Sequence, residues 1–418
     1  MPSLVAIVVA NMIGAGVFTT SGFALADLGS PNRVMIAWVL GGIIALLGAL
    51  CYGSLAGRLR ESGGEYLFLS RTLHPMLGFL AGWVSLWAGF TGAIALAAQA
   101  CGSYLEPMLP VGISPDVIGT AAIAGMGFVH SRGLGPGALL QNLVVAAKLC
   151  ALVLLVAIGA SALPAEVAAA PPRFELGTFA VTLMWVSLSY SGWNAAVYIA
   201  GEAREPGRSV PRALRWGTLV TTLLYLALNW VFVHAAAIDE LAGQPDVAAV
   251  AARALGGSAL ESFVRAILVL ALVTSISSMV MIAPRVYARM AEDGLFPSCF
   301  AFRGAVPAQA IWLQVGLSTL VLWSSGLRSQ LTNLGWILGL FTALSVIGLL
   351  RLRAAEGPDR IPIPGFPFVP LLFLALVLAL SGLALVAAGA ALWPAIAVLV
   401  TGLVAYRLQL RGARRVPQ

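Results

Sequence analysis

The stretch Asn11-Met12-Ile13-Gly14-Ala15-Gly16-Val17-Phe18 places two glycines, two residues apart, in the middle of an apolar segment. Segment 4–26 around it is long enough to cross a membrane as a helix, which takes about 20 residues. A second polar interruption, Ser189-Tyr190-Ser191-Gly192-Trp193-Asn194, lies in the apolar segment 177–201. Unpaired backbone groups cost several kcal/mol each in lipid, so such breaks are tolerated only where they line a protein cavity. The two stretches therefore predict two broken helices.

Gly14 and Gly16 taken alone are equally typical of close helix packing. Their pairing with the cluster five candidate spans later favours the broken-helix interpretation. Interruptions at corresponding positions of two successive halves are typical of inverted-repeat transporters with a site near the bilayer midplane. On this hypothesis residues 1–163 form the first repeat, residues 164–353 form the second, and residues 354–418 form two peripheral spans and a tail.

Composition supports an integral membrane protein. Of 418 residues, 24 are Lys or Arg and 17 are Asp or Glu, while 60% are hydrophobic. A soluble globular chain carries roughly one quarter charged residues, and disordered or nucleic-acid-binding chains carry many more basic ones, so these classes are excluded. The cysteines lack metal-ligand spacing, so neither a metal site nor any cofactor is expected. No constellation of catalytic residues is visible, so we do not expect an enzyme.

The chain divides into twelve candidate transmembrane helices, and the predicted fold is all-α. If the N-terminus is cytoplasmic, most arginines fall in inside loops, as the positive-inside rule requires. We therefore expect a multi-pass protein of the cell (inner) membrane with both termini cytoplasmic. The outside connection 237–260 is a lid or a solvated loop, and we favour the loop. The candidate spans are 4–26, 34–57, 76–104, 115–130, 138–163, 177–201, 212–236, 261–289, 307–326, 331–350, 366–388 and 391–409.

Helix ends at the two breaks suggest a ligand chemistry. A half-helix starting after Gly16 presents free N–H groups and a positive dipole end, which suit a carboxylate. Half-helices ending near Ile13 and Ser189 present free carbonyls, which suit an ammonium group. Together these ends would form a receptor for a zwitterionic α-amino acid.

Five stretches, in their order and spacing, resemble the amino acid–polyamine–organocation (APC) superfamily, and within it the bacterial L-amino acid transporter members. The resemblance implies a LeuT-like fold with inverted repeats and alternating access, working as an exchanger or a proton-coupled carrier. It also implies that Gly14, Ala15, Gly16 and Val17 line the carboxylate side, and that Tyr190, Ser191, Gly192 and Asn194 line the other side. The stretches are Asn11–Phe18, Ser62–Tyr66 followed by Gly78–Trp83, Leu140–Asn142 with Ala147–Leu149, Tyr190–Asn194 running on to Glu202, Pro206 and Pro211, and Arg285–Pro297.

The same resemblance suggests candidate gate residues. Many related transporters of large neutral amino acids carry an aromatic gate two residues before Tyr190, where this chain has Leu188. Trp185, one turn earlier, is a candidate substitute, and Trp193 is either a gate or a packing residue. Glu202 and Arg285 either form an inner ion-pair gate or are charges that set topology.

Lys148 is the one lysine of the chain and lies inside an apolar segment. An ammonium at this depth is expensive and marks function or a buried partner. By the resemblance, a span 5 lysine occupies the place of the sodium ion of sodium-coupled relatives. We expect Lys148 to contact carbonyls near Ile13 and Gly14, and Ser277 or Ser278, which predicts sodium independence. It either exchanges a proton or remains a permanently charged strut.

The substrate class follows from the acidic residues near spans 1, 6 and 8, which all lie at helix ends: Asp27, Glu175, Glu202 and Glu261. A zwitterion with a neutral side chain is therefore favoured. A carrier of cationic amino acids or polyamines and a non-transporting amino acid sensor are the alternatives. The expected partners are the amino acid and the lipid bilayer, with protons left open, and neither an ancillary chain nor nucleic acid is expected.

Overall fold

The structure is a computed structural model that describes residues 2–109, 112–133, 138–162, 173–324, 326–356 and 361–413. Throughout these ranges the regular secondary structure is helical, as the sequence predicts. The helices are α1 (Pro2–Met12), α2 (Gly16–Leu28), α3 (Pro31–Arg58), α4 (Gly64–Thr72), α5 (Pro75–Val84), a π-helical segment (Ser85–Gly92), α6 (Ala93–Leu105), α7 (Pro115–Ser131), α8 (Ala138–Ala162), α9 (Leu176–Ser189), α10 (Pro206–His234), α11 (Ile238–Leu241), α12 (Val247–Glu292), α13 (Ala308–Ser324), α14 (Leu327–Ala355), α15 (Phe368–Ala388) and α16 (Trp393–Ala413).

The helices are those of a multi-pass membrane protein. Within the described ranges, seven helical segments are long and apolar enough to cross a membrane, and three more apolar helices are shorter. The full set of twelve spans and the division into two inverted repeats stay predictions. The seven segments are Leu4–Leu28, Pro31–Arg58, Pro75–Met108, Pro206–His234, Val247–Glu292, Gly335–Ala355 and Phe368–Ala387.

Both predicted breaks are present. The first apolar segment forms two helices, since α1 ends at Met12 and α2 begins at Gly16. The segment predicted as span 177–201 is an α-helix only up to Ser189. Gly192 then takes a φ of 93°, a conformation that glycine adopts readily, and the chain continues in short 3₁₀ turns.

The favoured loop interpretation of the connection 237–260 is wrong. Residues 238–255, here called the cover segment, contain α11 and the first turns of α12 before a kink at Gly256 and Gly257. Leu241 and Val247 are fully buried. The cover segment packs on α2, where the Gly243 amide donates to the Gly22 carbonyl at 2.7 Å. Its Ala-rich face is the apolar face of a packed helix, which explains why a solvated loop does not form.

Small residues let the helices approach closely. On α3, a Cβ added to Gly42 would lie 2.6 Å from the Thr222 side chain of α10, and one added to Gly53 would lie 3.3 Å from Pro211. Close approach at small residues is the usual basis of helix packing in membranes. The pair of α3 and α10 flanks the broken α1–α2 segment.

Replacing Gly22 by alanine should destabilise the packing of the cover segment on α2, because the added Cβ would overlap the Gln244 carbonyl oxygen of the cover segment. Overpacking of this kind costs about 1–3 kcal/mol of unfolding free energy. We expect a lower melting temperature of the purified protein in detergent. Gly125→Ala on α7, where no atom lies within 4 Å of the added Cβ, is the matched control and should not lower it. Equal melting temperatures for the two variants would contradict the packed cover segment.

Candidate functional site

The two breaks meet each other through glycines. A Cβ added to Gly16, the first residue of α2, would lie 2.7 Å from the Cα of Ser189, the last residue of α9. A Cβ added to Gly192 would lie 2.7 Å from the Asn11 carbonyl oxygen. Real Cβ atoms do not approach other atoms this closely, so both positions require glycine. Gly14 differs, because its added Cβ would make an ordinary contact with Ser275 at 3.5 Å.

The broken end of α1 is held by two side-chain donors. The Tyr225 hydroxyl donates to the Met12 carbonyl, and Lys148 Nζ donates to the Ile13 carbonyl at 2.8 Å. Lys148 is 2% exposed, and Nζ also lies 3.5 Å from the Ala271 carbonyl of α12. No carboxylate in the described part of the chain forms an ion pair with it. Carbonyls at a helix C-terminus carry partial negative charge, so they form a favourable environment for the ammonium.

The expected contact of Lys148 with Ile13 is therefore present, but contacts with Ser277 and Ser278 are not. Ser277 Oγ lies 2.8 Å from His130 Nε2, and Ser278 Oγ accepts from Asn11 Nδ2 at 3.2 Å. Both serines are engaged by other helices. The sequence pattern locates span 8 near Lys148 but does not give the rotation of that helix.

A central cavity of about 120 Å³ lies beside the crossing of the two breaks. Four residues predicted for the substrate or gate, Ser191, Gly192, Trp193 and Asn194, line it, and span 1 contributes Asn11. Residues of α5, the π-helical segment, α12 and α14 contribute to its other walls. The cavity thus combines amide and hydroxyl groups with apolar surface, as small-molecule sites do.

Other predicted substrate residues do not line this cavity. Ile13, Ala15 and Val17 are buried in helix packing, and neither Gly14 nor Gly16 reaches the cavity. The first turn of α2 is covered by α9, where Thr20 Oγ1 and Ser189 Oγ are hydrogen-bonded at 2.8 Å.

Tyr190 also points away from the cavity. It is fully buried, its hydroxyl donates to the Trp38 carbonyl at 3.1 Å, and its ring packs 5.0 Å from that of Tyr225. Tyr190 therefore fixes α9 against α3 and α10 rather than facing a ligand in this conformation.

The gate candidates take three different positions. Trp185 donates to Thr332 Oγ1 at 2.9 Å and is buried against α14. Leu188 lines a second cavity of about 80 Å³, which shares Ser191 and Trp193 with the central cavity. Trp193 also packs edge-on against Tyr52 of α3, with ring centroids 4.7 Å apart. Trp193 is therefore part of the wall between the two cavities, together with Ser191, Leu338 and Thr342.

Sequence reasoning missed Glu65, a buried carboxylate that lines the central cavity. It accepts hydrogen bonds from Tyr52 at 3.2 Å, from Asn194 Nδ2 at 2.6 Å and from the Tyr198 hydroxyl. The only sequence signal is its place in Ser62-Gly63-Gly64-Glu65-Tyr66, which contributes to the family resemblance but lies on a short helix outside the candidate spans. The substrate argument from the acidic residues near spans 1, 6 and 8 therefore overlooks a carboxylate that lines the cavity.

The neighbouring Tyr66 joins two of the stretches that carry the resemblance. Its hydroxyl donates to Asp293 Oδ2 at 2.7 Å, at the end of α12. Burial and the adjacent Asp293 raise the pKa of Tyr66 above its ordinary value, so the tyrosine stays protonated and remains a donor at neutral pH.

A shared wall separates the central cavity from an adjoining space of about 400 Å³, and Tyr198 and Ile282 line both. This space is called the inner vestibule here because the arginine pattern predicts that its side is cytoplasmic. Arg285 lines the vestibule, and its guanidinium donates to the Met281 carbonyl. The Glu202 side chain lies outside the described part of the chain, so the predicted Glu202–Arg285 pair stays a prediction. Tyr198 is held by Glu65 and packs edge-on against Phe90, with ring centroids 5.6 Å apart.

Comparison with known proteins agrees with this geometry. The chain is 26% identical over 398 residues to rabbit large neutral amino acids transporter small subunit 2, covering 90% of this chain and 74% of that protein. It is 25% identical over 380 residues to the Bacillus subtilis serine/threonine exchanger SteT, covering 88% and 86%. Mouse Asc-type amino acid transporter 1 is 25% identical over 386 residues, covering 88% and 72%. These relatives are transporters rather than enzymes, as the sequence leads us to expect. A family model described as amino acid permease matches residues 1–406, so the chain belongs to the amino acid permease family and is an amino acid transporter.

Proposed function

We propose that this permease is a sodium-independent secondary transporter of neutral L-amino acids that works by alternating access, as an exchanger or a proton-coupled carrier. The observation that carries the proposal is the position of Lys148 Nζ, 2.8 Å from the Ile13 carbonyl at the broken end of α1. A fixed ammonium already satisfies the carbonyls that a bound cation would otherwise need. In alternating access, the cavity would open to one side of the membrane in one conformation and to the other side in the second conformation. We place both termini and most arginines on the cytoplasmic side.

The zwitterion would bind where the two breaks cross. Asn11, Ser191 and Asn194 present polar side chains to the central cavity and can hydrogen-bond the ammonium and carboxylate groups. The first amides of α2 lack acceptors within their own helix, as at any helix start. They would take the carboxylate only when α9 moves away from Gly16, so we assign them to the outward-open state.

Tyr198 and Glu65 are the proposed inner gate. Tyr198 is shared by the central cavity and the inner vestibule, so its displacement would join the two spaces. Its hydrogen bond to the buried Glu65 carboxylate holds it in the closed position. On the outer side, two layers of protein would close the cavity: the contact between Thr20 and Ser189, and beyond it the cover segment. The described conformation is therefore closed on both sides, with the thinner wall on the inside.

Glu65 supports a second candidate, a carrier of cationic amino acids or polyamines. No ion pair neutralises this buried carboxylate within the described ranges. A protonated side chain of a substrate could supply the missing charge. Three neutral donors already satisfy the carboxylate, which favours the neutral-substrate proposal.

We also propose that the protein acts without an ancillary chain. The rabbit relative is by name a small subunit of its transporter, so this proposal needs its own test. Cys51 and Cys101 are buried, so a disulfide to another chain would need one of the exposed cysteines, Cys150 or Cys299. Activity of the purified single chain in liposomes would support the proposal.

Counterflow in proteoliposomes tests the proposed function. Radiolabelled serine or leucine should accumulate when unlabelled neutral amino acid is inside, equally in sodium and choline buffers. Competition by each of the twenty amino acids should show displacement by neutral ones only. Displacement by arginine and lysine alone would favour the cationic candidate, and several-fold stimulation by sodium would overturn sodium independence. Uptake driven by a pH gradient without internal substrate would identify proton coupling.

Replacing Tyr198 by phenylalanine should loosen the inner gate. A hydrogen bond to a charged group contributes about 1.5–3 kcal/mol, so its loss should raise the fraction of open gates at least tenfold. The measurement is the labelling rate of Ser191→Cys by an impermeant maleimide from the cytoplasmic side, in a background without the native cysteines.

Tyr66→Phe is the matched control, because it removes the hydrogen bond to Asp293 and does not touch the shared wall. Its labelling rate should stay close to that of the unsubstituted background. An unchanged rate in the Tyr198→Phe variant would show that Tyr198 is not the gate.

A further inference from the structure

A cavity of about 440 Å³ lies between the end of α3, the start of α10 and residues 361–364. Three arginines line it, Arg58, Arg60 and Arg215, and its described lining contains no acidic residue. Gly53 of α3 and Pro211 of α10 also line it. This space is separate from the central cavity and shares no lining residue with it.

The charge of this cavity is only partly balanced. Arg58 Nε donates to Glu356 at 2.6 Å, and the same carboxylate also accepts from the Ile361 amide at 3.0 Å. Arg60 Nε donates to the Gly57 carbonyl at 3.4 Å, and Arg215 forms no ion pair within the described ranges. Within the described residues, one carboxylate pairs with one of the three guanidinium groups, so the described lining retains a net positive charge.

The inner vestibule differs from the α3–α10 cavity in the charge balance of its lining. Its two arginines, Arg285 and Arg289, share the lining with Glu61 and Glu292. Arg289 pairs with Glu292 at 3.5 Å. Positive charge there is matched by acids of the same lining, whereas the α3–α10 cavity leaves room and charge for an external anion.

Guanidinium groups recognise phosphate oxygens in a planar, two-pronged geometry. We propose that the α3–α10 cavity binds the phosphate of an anionic phospholipid headgroup. Basic pockets between transmembrane helices on the cytoplasmic side are suited to such headgroups. A lipid fits better than a soluble phosphate because exposed aromatic residues occur close to lining residues in the chain, one next to Arg215 and one four residues after Pro364. Trp216 is 52% exposed and Phe368 is 79% exposed, as expected of aromatic residues at the membrane interface.

The test is binding of phosphatidylglycerol to the purified, delipidated full chain in detergent, measured by native mass spectrometry. The double variant Arg60→Gln with Arg215→Gln should bind phosphatidylglycerol about 30-fold more weakly, at about 1 kcal/mol for each arginine. Arg212→Gln is the matched control, since Arg212 is exposed on the same helix and does not line the cavity. Unchanged melting temperatures would show that the variants fold.

Three outcomes would overturn the proposal. The first is equal loss of binding in the Arg212→Gln control, which would indicate general surface charge. The second is equal affinity of the unsubstituted protein for phosphatidylcholine and phosphatidylglycerol. The third is displacement of the lipid by soluble glycerol phosphate at the same concentration, which would indicate a soluble phosphate ligand. Loss confined to the double variant and to the anionic lipid would support the headgroup site. The proposal does not depend on which amino acid is transported.

Discussion

Backbone carbonyls exposed by a broken helix must find donors when water is excluded, and the broken end of α1 is where this constraint is met. Tyr225 and Lys148 donate to the carbonyls of Met12 and Ile13, so α10 and α8 are both tied to the same point. Lys148 also lies next to the Ala271 carbonyl of α12. Three helices therefore converge on one helix end.

Glycine allows the two breaks to cross, and the crossing creates the cavity. Gly16 rests on Ser189 and Gly192 rests on Asn11, with no room for a side chain at either contact. One layer that contains Tyr198 separates the cavity beside this crossing from the vestibule, whereas α9 and the cover segment both pack on α2. Such asymmetry is consistent with the alternating-access cycle proposed above.

The breaks themselves were predictable from sequence, because glycine and polar residues are conspicuous inside apolar segments. The directions of the side chains were not, because they depend on helix rotation and on contacts distant in sequence. Tyr190 is a polar aromatic residue at the break and so is suited to contact a ligand, yet it packs against Trp38 and Tyr225. Glu65 lies on a short helix whose approach to the cavity only the tertiary fold reveals, and the packing of the cover segment on Gly22 is likewise a tertiary effect.

Lys148 is the residue on which the account depends most, and exchange of labelled amino acid by Lys148→Ala in proteoliposomes tests it most directly. Without the ammonium, the Ile13 carbonyl loses its donor and the broken end of α1 loses its positive charge. The account predicts at least a tenfold slower exchange with a protein that still purifies as a folded monodisperse species. Exchange at the unsubstituted rate in a folded Lys148→Ala protein would contradict it.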